Sequence, residues 1–241
     1  MRRVRCLLAA CLVVAVTVPA APATGAEVLE ERVVVGTSVQ GREIVAVHRW
    51  RPGEGHTMLV IGNMHGDERA GMRVVRELAA RRLPAGVDLW LIRTVNPDGT
   101  VADRRTNARG VDLNRNFPRW WVRAGAGTSR WSGPRAGSEP ETTALMRFAR
   151  TVQSRTTVVF HQPLFGVDSY RAKSMTLVRR LSRELDLPVR SFDCDGGCHG
   201  TLTDWHNAQL PGRAVTVELG RRASAGQVSR VAGGILRVAS P

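Results

Sequence analysis

"TMLVIGNMHGDERAG", residues 57–71, is the stretch on which the fold turns. An unbroken apolar run stops at Gly62 and Asn63, and a polar turn carrying His65 and Glu68 follows. A short apolar run without polar alternation reads as a strand buried on both faces, the kind found in parallel sheets covered by helices. Beyond the turn, Met72, Val75, Leu78 and Ala79 recur at helical spacing, with Pro84 as the stop. The reading is therefore strand, turn, helix. His65 and Glu68 are either the start of a metal site or two polar residues where a strand hands over to a helix.

Outward from this stretch, strands alternate with helices. "ERVVVG" and "REIVAVHRW" read as two strands joined by the turn "TSVQG", with Gly41 in it. "VDLWLIRTVN", "TTVVFH" and "RAVTVELG" read as further strands. "SEPETTALMRFARTV" opens as a helix with a capping box, Ser138 as cap and Glu141 three residues on, and Pro140 in the first turn. Leu177, Val178, Leu181 and Leu185 make an amphipathic helix before Pro188, and Val228, Val231, Ile235 and Leu236 mark a last one. The pattern predicts a single α/β domain: a central mixed, largely parallel twisted sheet with helices on both faces.

In such a sheet, ligands bind beyond the carboxyl ends of the strands. His65 and Glu68 follow one strand, His161 closes "TTVVFH", and Glu218 is near the end of "RAVTVELG", so one cleft can collect all of them. Two histidines and a carboxylate suit catalytic zinc, which keeps a fourth position for water. Taken singly, His161 reads as a hydrogen-bonded strand-end residue and Glu218 as a surface residue. An ionised group inside an apolar strand is costly, however, unless it is paired or functional. "RRTNARGVDLNRNFP", residues 104–118, reads as a solvated loop turning at Gly110, yet Asn114 and Arg115 form a plausible fork for a carboxylate.

The ends and the composition bound the setting. "MRRVR", then "CLLAACLVVAVTV", then "PAAPATGA" have the basic, apolar and small-residue order of a secretory leader over residues 1–26. The catalytic domain is expected over residues 27–241, with no membrane span once the leader is removed. Removing Arg2, Arg3 and Arg5 with the leader takes the formal net charge from +14 to +11. That basic surface suits dwelling on anionic cell-envelope polymers. No nucleic-acid motif accompanies it, and aromatic residues for stacking are few, so a nucleic-acid partner is not expected. Cys194 and Cys198 remain after the leader; an even count in an exported chain favours a disulfide, the rival being a metal pair helped by His199.

With these residues in view, the chain resembles the zinc carboxypeptidases of the funnelin type, and within them the short bacterial branch that includes murein peptide amidases. "GTSVQGREI", "NMHGDE", "NPDG", "RTNARGVDLNRNFP", "GPRAGSEPET", "HQPLFGVD" and "TVELG" match in that order. One H-x-x-E is a weak signal, whereas seven stretches in one order are strong. The resemblance implies one zinc per chain on His65, Glu68 and His161, with Asp112 accepting the outer ring N–H of His65. It implies Arg105 facing the oxyanion, Asn114 and Arg115 holding a terminal carboxylate, and Glu218 as general base and then acid. It puts the pocket floor around Thr203, neither acidic nor an apolar wall. Digestive members carry a mobile tyrosine before the segment equivalent to "GTLTDW"; here that region reads "SFDCDGGCHG", the one tyrosine, Tyr170, lies elsewhere in the sequence, and the Cys194–Cys198 loop stands in its place.

The expectation is a secreted or envelope-associated, monomeric zinc amidase acting on peptides or muropeptides next to a free carboxylate. A general secreted carboxypeptidase, an N-acyl amino-acid deacylase and a non-catalytic basic envelope-binding protein are the alternatives.

Overall fold

The computed structural model describes residues 27–53, 55–194 and 198–240; the expected leader lies outside the described residues. The chain opens with a hairpin, β1 (Leu29–Thr37) and β2 (Glu43–Trp50), paired antiparallel across the turn at Gly41. Next come β3 (His56–Ile61), α1 (Ala70–Ala80), β4 (Val87–Ile92) and a short α2 (Pro97–Val101). A long loop with one 3-10 turn at Leu113–Arg115 leads to α3 (Pro140–Val152) and β5 (Thr156–His161). The second half adds β6 (Leu164–Asp168), α4 (Met175–Leu185), β7 (Val189–Arg190), α5 (Leu202–Gln209), β8 (Arg213–Gly220) and α6 (Ala225–Ala239).

One eight-stranded mixed sheet results, in the order β1-β2-β4-β3-β5-β8-β6-β7. Its centre, β4-β3-β5-β8, is parallel, while β2 joins β4 and β6 joins β8 antiparallel. Side chains alternate across this centre as strand geometry requires. Met58 and Val60 of β3 face a core built with α1, α4 and α6, whereas Leu59 and Ile61 face a second core built with α3 and α5. The sheet is thus covered by helices on both faces, as the apolar runs predict. Among the described residues, no helix is long and apolar enough to cross a membrane.

Close backbone approach explains two glycines of the opening stretch. A Cβ on Gly71 would run into the carbonyl of Gly62 and the side chain of Phe160, so α1 could not seat against β3 and β5. A Cβ on Gly66 would collide with the backbone of Gly99. Both glycines hold the His65–Glu68 turn down on its neighbours.

The capping box expected at Ser138 does not form. Glu139 occupies the cap position without a side-chain cap bond, and Pro140 begins α3. Ser138 Oγ instead donates to Glu139 Oε1 (2.6 Å), while Glu141 accepts from Val39 N (3.0 Å) and Asn107 Nδ2 (3.2 Å). Both carboxylates are buried and satisfy the donors of the loop around Asn107 and Val39 rather than the helix end. α2, β6, β7 and α5 are not among the elements read from the sequence.

Candidate active site

The carboxyl ends of the parallel strands meet where expected. His161 and Glu218 are register partners on β5 and β8, and the turn after β3 brings in His65 and Glu68. The ligand atoms offered by His65, Glu68 and His161 all lie within 4.8 Å of one another, and all three residues are buried. His65 Nδ1 is 2.8 Å from Glu68 Oε1 and 3.2 Å from His161 Nδ1, and His161 Nδ1 is 3.0 Å from Glu68 Oε2.

Donor chemistry tests whether this trio fits a metal. His65 Nε2 faces Asp112 Oδ1 at 3.0 Å, so a neutral His65 keeps its proton there. Its Nδ1 lone pair then points at a carboxylate oxygen, an arrangement that only a cation, or a second proton on the ring, makes favourable. Burial alone would lower the pKa of His65, but Asp112 and Glu68 outweigh it and raise it, the same pull that favours a cation at this ring. Burial likewise opposes the charged forms of Glu68 and Asp112, yet His65 beside each, with further bonds from His161 or Arg105, holds both carboxyls well below their usual range. The donor set fits zinc: two imidazoles and one carboxylate kept anionic.

Arg105 is braced beside this cluster. Its Nε and Nη2 donate to Asp112 Oδ2 (3.0 and 2.8 Å) and its Nη1 to Glu68 Oε1 (3.3 Å). Glu218 has a looser environment: its Oε2 accepts from Leu164 N (3.2 Å), and burial, with Glu68 adding to it against His161, raises its pKa.

A cleft of about 390 Å³ lies over these groups and is also lined by Asn114, Arg115 and Thr203. Asn114 Oδ1 accepts from Leu202 N (3.0 Å) at the start of α5, which leaves Nδ2 at 3.4 Å from His161 Nε2. Arg115 is buried, with Nη1 donating to Asn114 O (2.7 Å) and Nη2 to Cys194 Sγ (3.3 Å). Thr203 pairs with Thr216 (2.9 Å between hydroxyls). Cys194 and Cys198 form a disulfide, so they are no metal pair with His199.

Asp168, Asp204 and Tyr170 line the cleft without being expected there, and one expectation needs correction. The pocket is acidic in part, because Asp168 and Asp204 line it together with Thr203. Burial pushes Asp168 up to about 6, against the pull of the Tyr170 and Phe192 N–H groups bonded to its Oδ1. Burial raises Asp204 as well, and Arg171 lies 3.7 Å from it. Tyr170, remote in sequence from the disulfide loop, lines the same cleft. Its route there is β6, which runs back antiparallel to β8 and delivers Asp168 and Tyr170 beside the site.

Residues 27–164 match the zinc carboxypeptidase family model. The chain belongs to the zinc carboxypeptidase family. Murein peptide amidase A of Escherichia coli K12 is 33% identical over 171 residues, covering 64% of this chain and 69% of that protein. The Vibrio campbellii protein of the same name is 34% identical over 176 residues, covering 67% and 68%. Among solved structures, murein-tripeptide amidase MpaA from Escherichia coli O157 superposes with a TM-score of 0.71 at 27% identity, covering 86% of this chain and 91% of that one. Carboxypeptidase A from Helicoverpa armigera shares the fold, with a TM-score of 0.74 at 16% identity over 87% of this chain and 67% of that one. Like other zinc carboxypeptidases, the chain is a zinc-dependent amide hydrolase, and its cluster of His65, Glu68 and His161 is consistent with a single catalytic zinc site. The reading as a non-catalytic envelope-binding protein is thereby set aside.

Proposed function

We propose that this enzyme hydrolyses an amide bond next to a free carboxylate in peptidoglycan-derived peptides outside the cytoplasm. The observation that carries this reading is Arg115. It is a buried guanidinium on the cleft wall with no carboxylate partner among the described residues, in the same cleft as the zinc cluster and Glu218. A buried charge held without a counter-ion is costly unless a ligand supplies one. Arg115, with Asn114 Nδ2 beside it on the same cleft wall, offers a two-pronged seat for a substrate carboxylate. Asp168 and Asp204, which line the cleft together with Thr203, suit an ammonium on the same leaving residue. A leaving diamino acid of a wall peptide carries both charges, and the relatives named for murein peptides agree with that choice.

Zinc held at the trio supplies a Lewis acid that lowers the pKa of water towards 7 and polarises the amide carbonyl. Glu218 takes the proton of the attacking water and passes it to the leaving nitrogen. Burial raises its pKa, the direction that favours its carrying a proton to the leaving nitrogen. Arg105, fixed by Asp112, offers Nη1 to the oxyanion as it develops. Asp112 holds His65 in the tautomer that leaves Nδ1 free to bind metal.

The leader-like segment over residues 1–26, and a disulfide that persists in oxidising compartments, support secretion. The catalytic domain over residues 27–241 works as a monomer in this reading, its cleft completed by one chain, and its basic surface is available to anionic envelope polymers. Incubation with a panel of muropeptides and ordinary peptides, with products read by mass, tests the proposal. Release of a terminal diamino acid from muropeptides is expected; cleavage of ordinary peptides alone would replace it with a general carboxypeptidase.

A further inference from the structure

Arg115 is held in an unusual way for a buried cation. Nη1 donates to a backbone carbonyl at 2.7 Å, and Nη2 points at Cys194 Sγ at 3.3 Å. A carboxylate in the place of that sulfur would orient the guanidinium too, but it would also neutralise it. A neutral disulfide sulfur gives direction without taking up the charge, so the fork stays available to a substrate.

The sulfur is itself tied down. Cys194 sits in a left-handed conformation (φ 55°), which costs a non-glycine residue free energy and persists only when its surroundings enforce it. Its disulfide partner Cys198 donates N–H to Asp193 O (3.0 Å) and accepts at its carbonyl from Arg171 Nη1 (3.1 Å). Two residues on, Gly200 accepts from Phe117 N (2.9 Å) and donates to Arg119 O (3.2 Å). A Cβ on Gly200 would collide with the carbonyl of Arg115 itself. The path Arg115, Cys194, Cys198, Gly200, Phe117 is therefore a closed circuit, and the S–S bond is the link that closes it.

We propose that the Cys194–Cys198 disulfide is the positioning element for Arg115, so that the oxidised pair sets affinity for carboxylate-bearing substrates while leaving the chemical step alone. This rests on Arg115 being the carboxylate seat, as argued above. Reduction by an external thiol reagent breaks the S–S bond, adds two electrons and two protons to give two cysteine thiols, and leaves the reagent as its own disulfide. Cys194 then relaxes from its left-handed conformation and Nη2 loses its fixed partner.

The test uses the zinc-loaded mature protein and one peptide in free-acid and C-terminally amidated forms. In the Cys194→Ser/Cys198→Ser variant, KM for the free acid is expected to rise about tenfold with kcat within about twofold, the pattern of lost uniform binding. Zinc content and turnover of the amidated form should stay at wild-type values. Adding Arg115→Ala to that variant should have much less effect than it has in the disulfide-bonded protein, because coupled residues are not additive. Should the double variant fold poorly, freshly reduced wild type with its zinc content checked gives the same comparison. An unchanged acid-to-amide preference without the disulfide, or a loss confined to kcat or zinc, would overturn the proposal. If Arg115→Ala alone also leaves that preference unchanged, the carboxylate reading fails with it; if Arg115→Ala abolishes it and the disulfide does not matter, only the positioning role fails.

Discussion

Two groups of residues share one cleft and are built differently. In the first, His65, Glu68, His161, Asp112 and Arg105 brace one another through contacts between 2.8 and 3.3 Å, with the donor atoms for a cation held together. In the second, among the described residues, Arg115 has no carboxylate partner and Glu218 accepts from one backbone donor, and burial raises Asp168 to about 6. The contrast separates what the protein completes for itself from what it leaves for substrate. Metal ligands need fixed geometry before anything binds, so their partners are internal. Groups that bind or move charge during turnover must keep capacity in reserve.

Variants can break this division. The largest effect is expected at His161, where replacement by alanine should abolish both zinc retention and activity; a His161→Ala protein with one zinc per chain would show that the ligand set is wrong. Glu218→Gln should keep its zinc and lose at least about a hundredfold in rate, the usual share of acid–base catalysis. Near-normal turnover there would move the base to another residue. Asp112→Asn belongs to the braced group, and zinc affinity should drop about 10- to 100-fold, the scale seen when the outer partner of a metal histidine is lost. Competition with a chelator reads that directly.

The smallest effect sharpens the contrast in the second group. The carboxyl of Asp168 is raised to about 6 because burial disfavours its charge. The protonated form is therefore favoured in the fold, and this contribution, full below the unfolded value near 3.9, is lost as pH rises through about 6. Asp168→Asn keeps an oxygen for the Tyr170 and Phe192 N–H groups but carries no charge. Its stability relative to wild type should grow between about pH 4 and pH 7, by at most about 3 kcal/mol. Paired melting curves at the two pH values measure it, and a difference independent of pH would place the Asp168 titration elsewhere.

The first group was largely legible in the sequence, the second only in part. Buried parallel strands announce themselves as apolar runs, and His65, Glu68, His161 and Glu218 stand at their ends in chain order. Asp168 and Tyr170 depend on β6, whose five residues "LFGVD" carry a central glycine and two exposed apolar side chains, Leu164 and Phe165. No alternation marks it as a strand, and its position beside β8 is a matter of topology. α5 left one trace: Thr201 lies three residues before Asp204, and in the fold its hydroxyl accepts from Asp204 N (3.1 Å). The failed cap at Ser138 has the opposite cause. Local pattern favoured it, but the buried donors of a distant loop took both glutamates.

The most direct test of the account is wild-type turnover of one muropeptide with its terminal carboxylate free and then amidated. Arg115 and Asn114 reading that group predict a loss of about 2–5 kcal/mol in transition-state stabilisation for the amide, the scale of leaving a buried charge unpaired. Equal turnover of the two forms would contradict it and make the enzyme an endo-acting amidase whose buried arginine serves the loop alone.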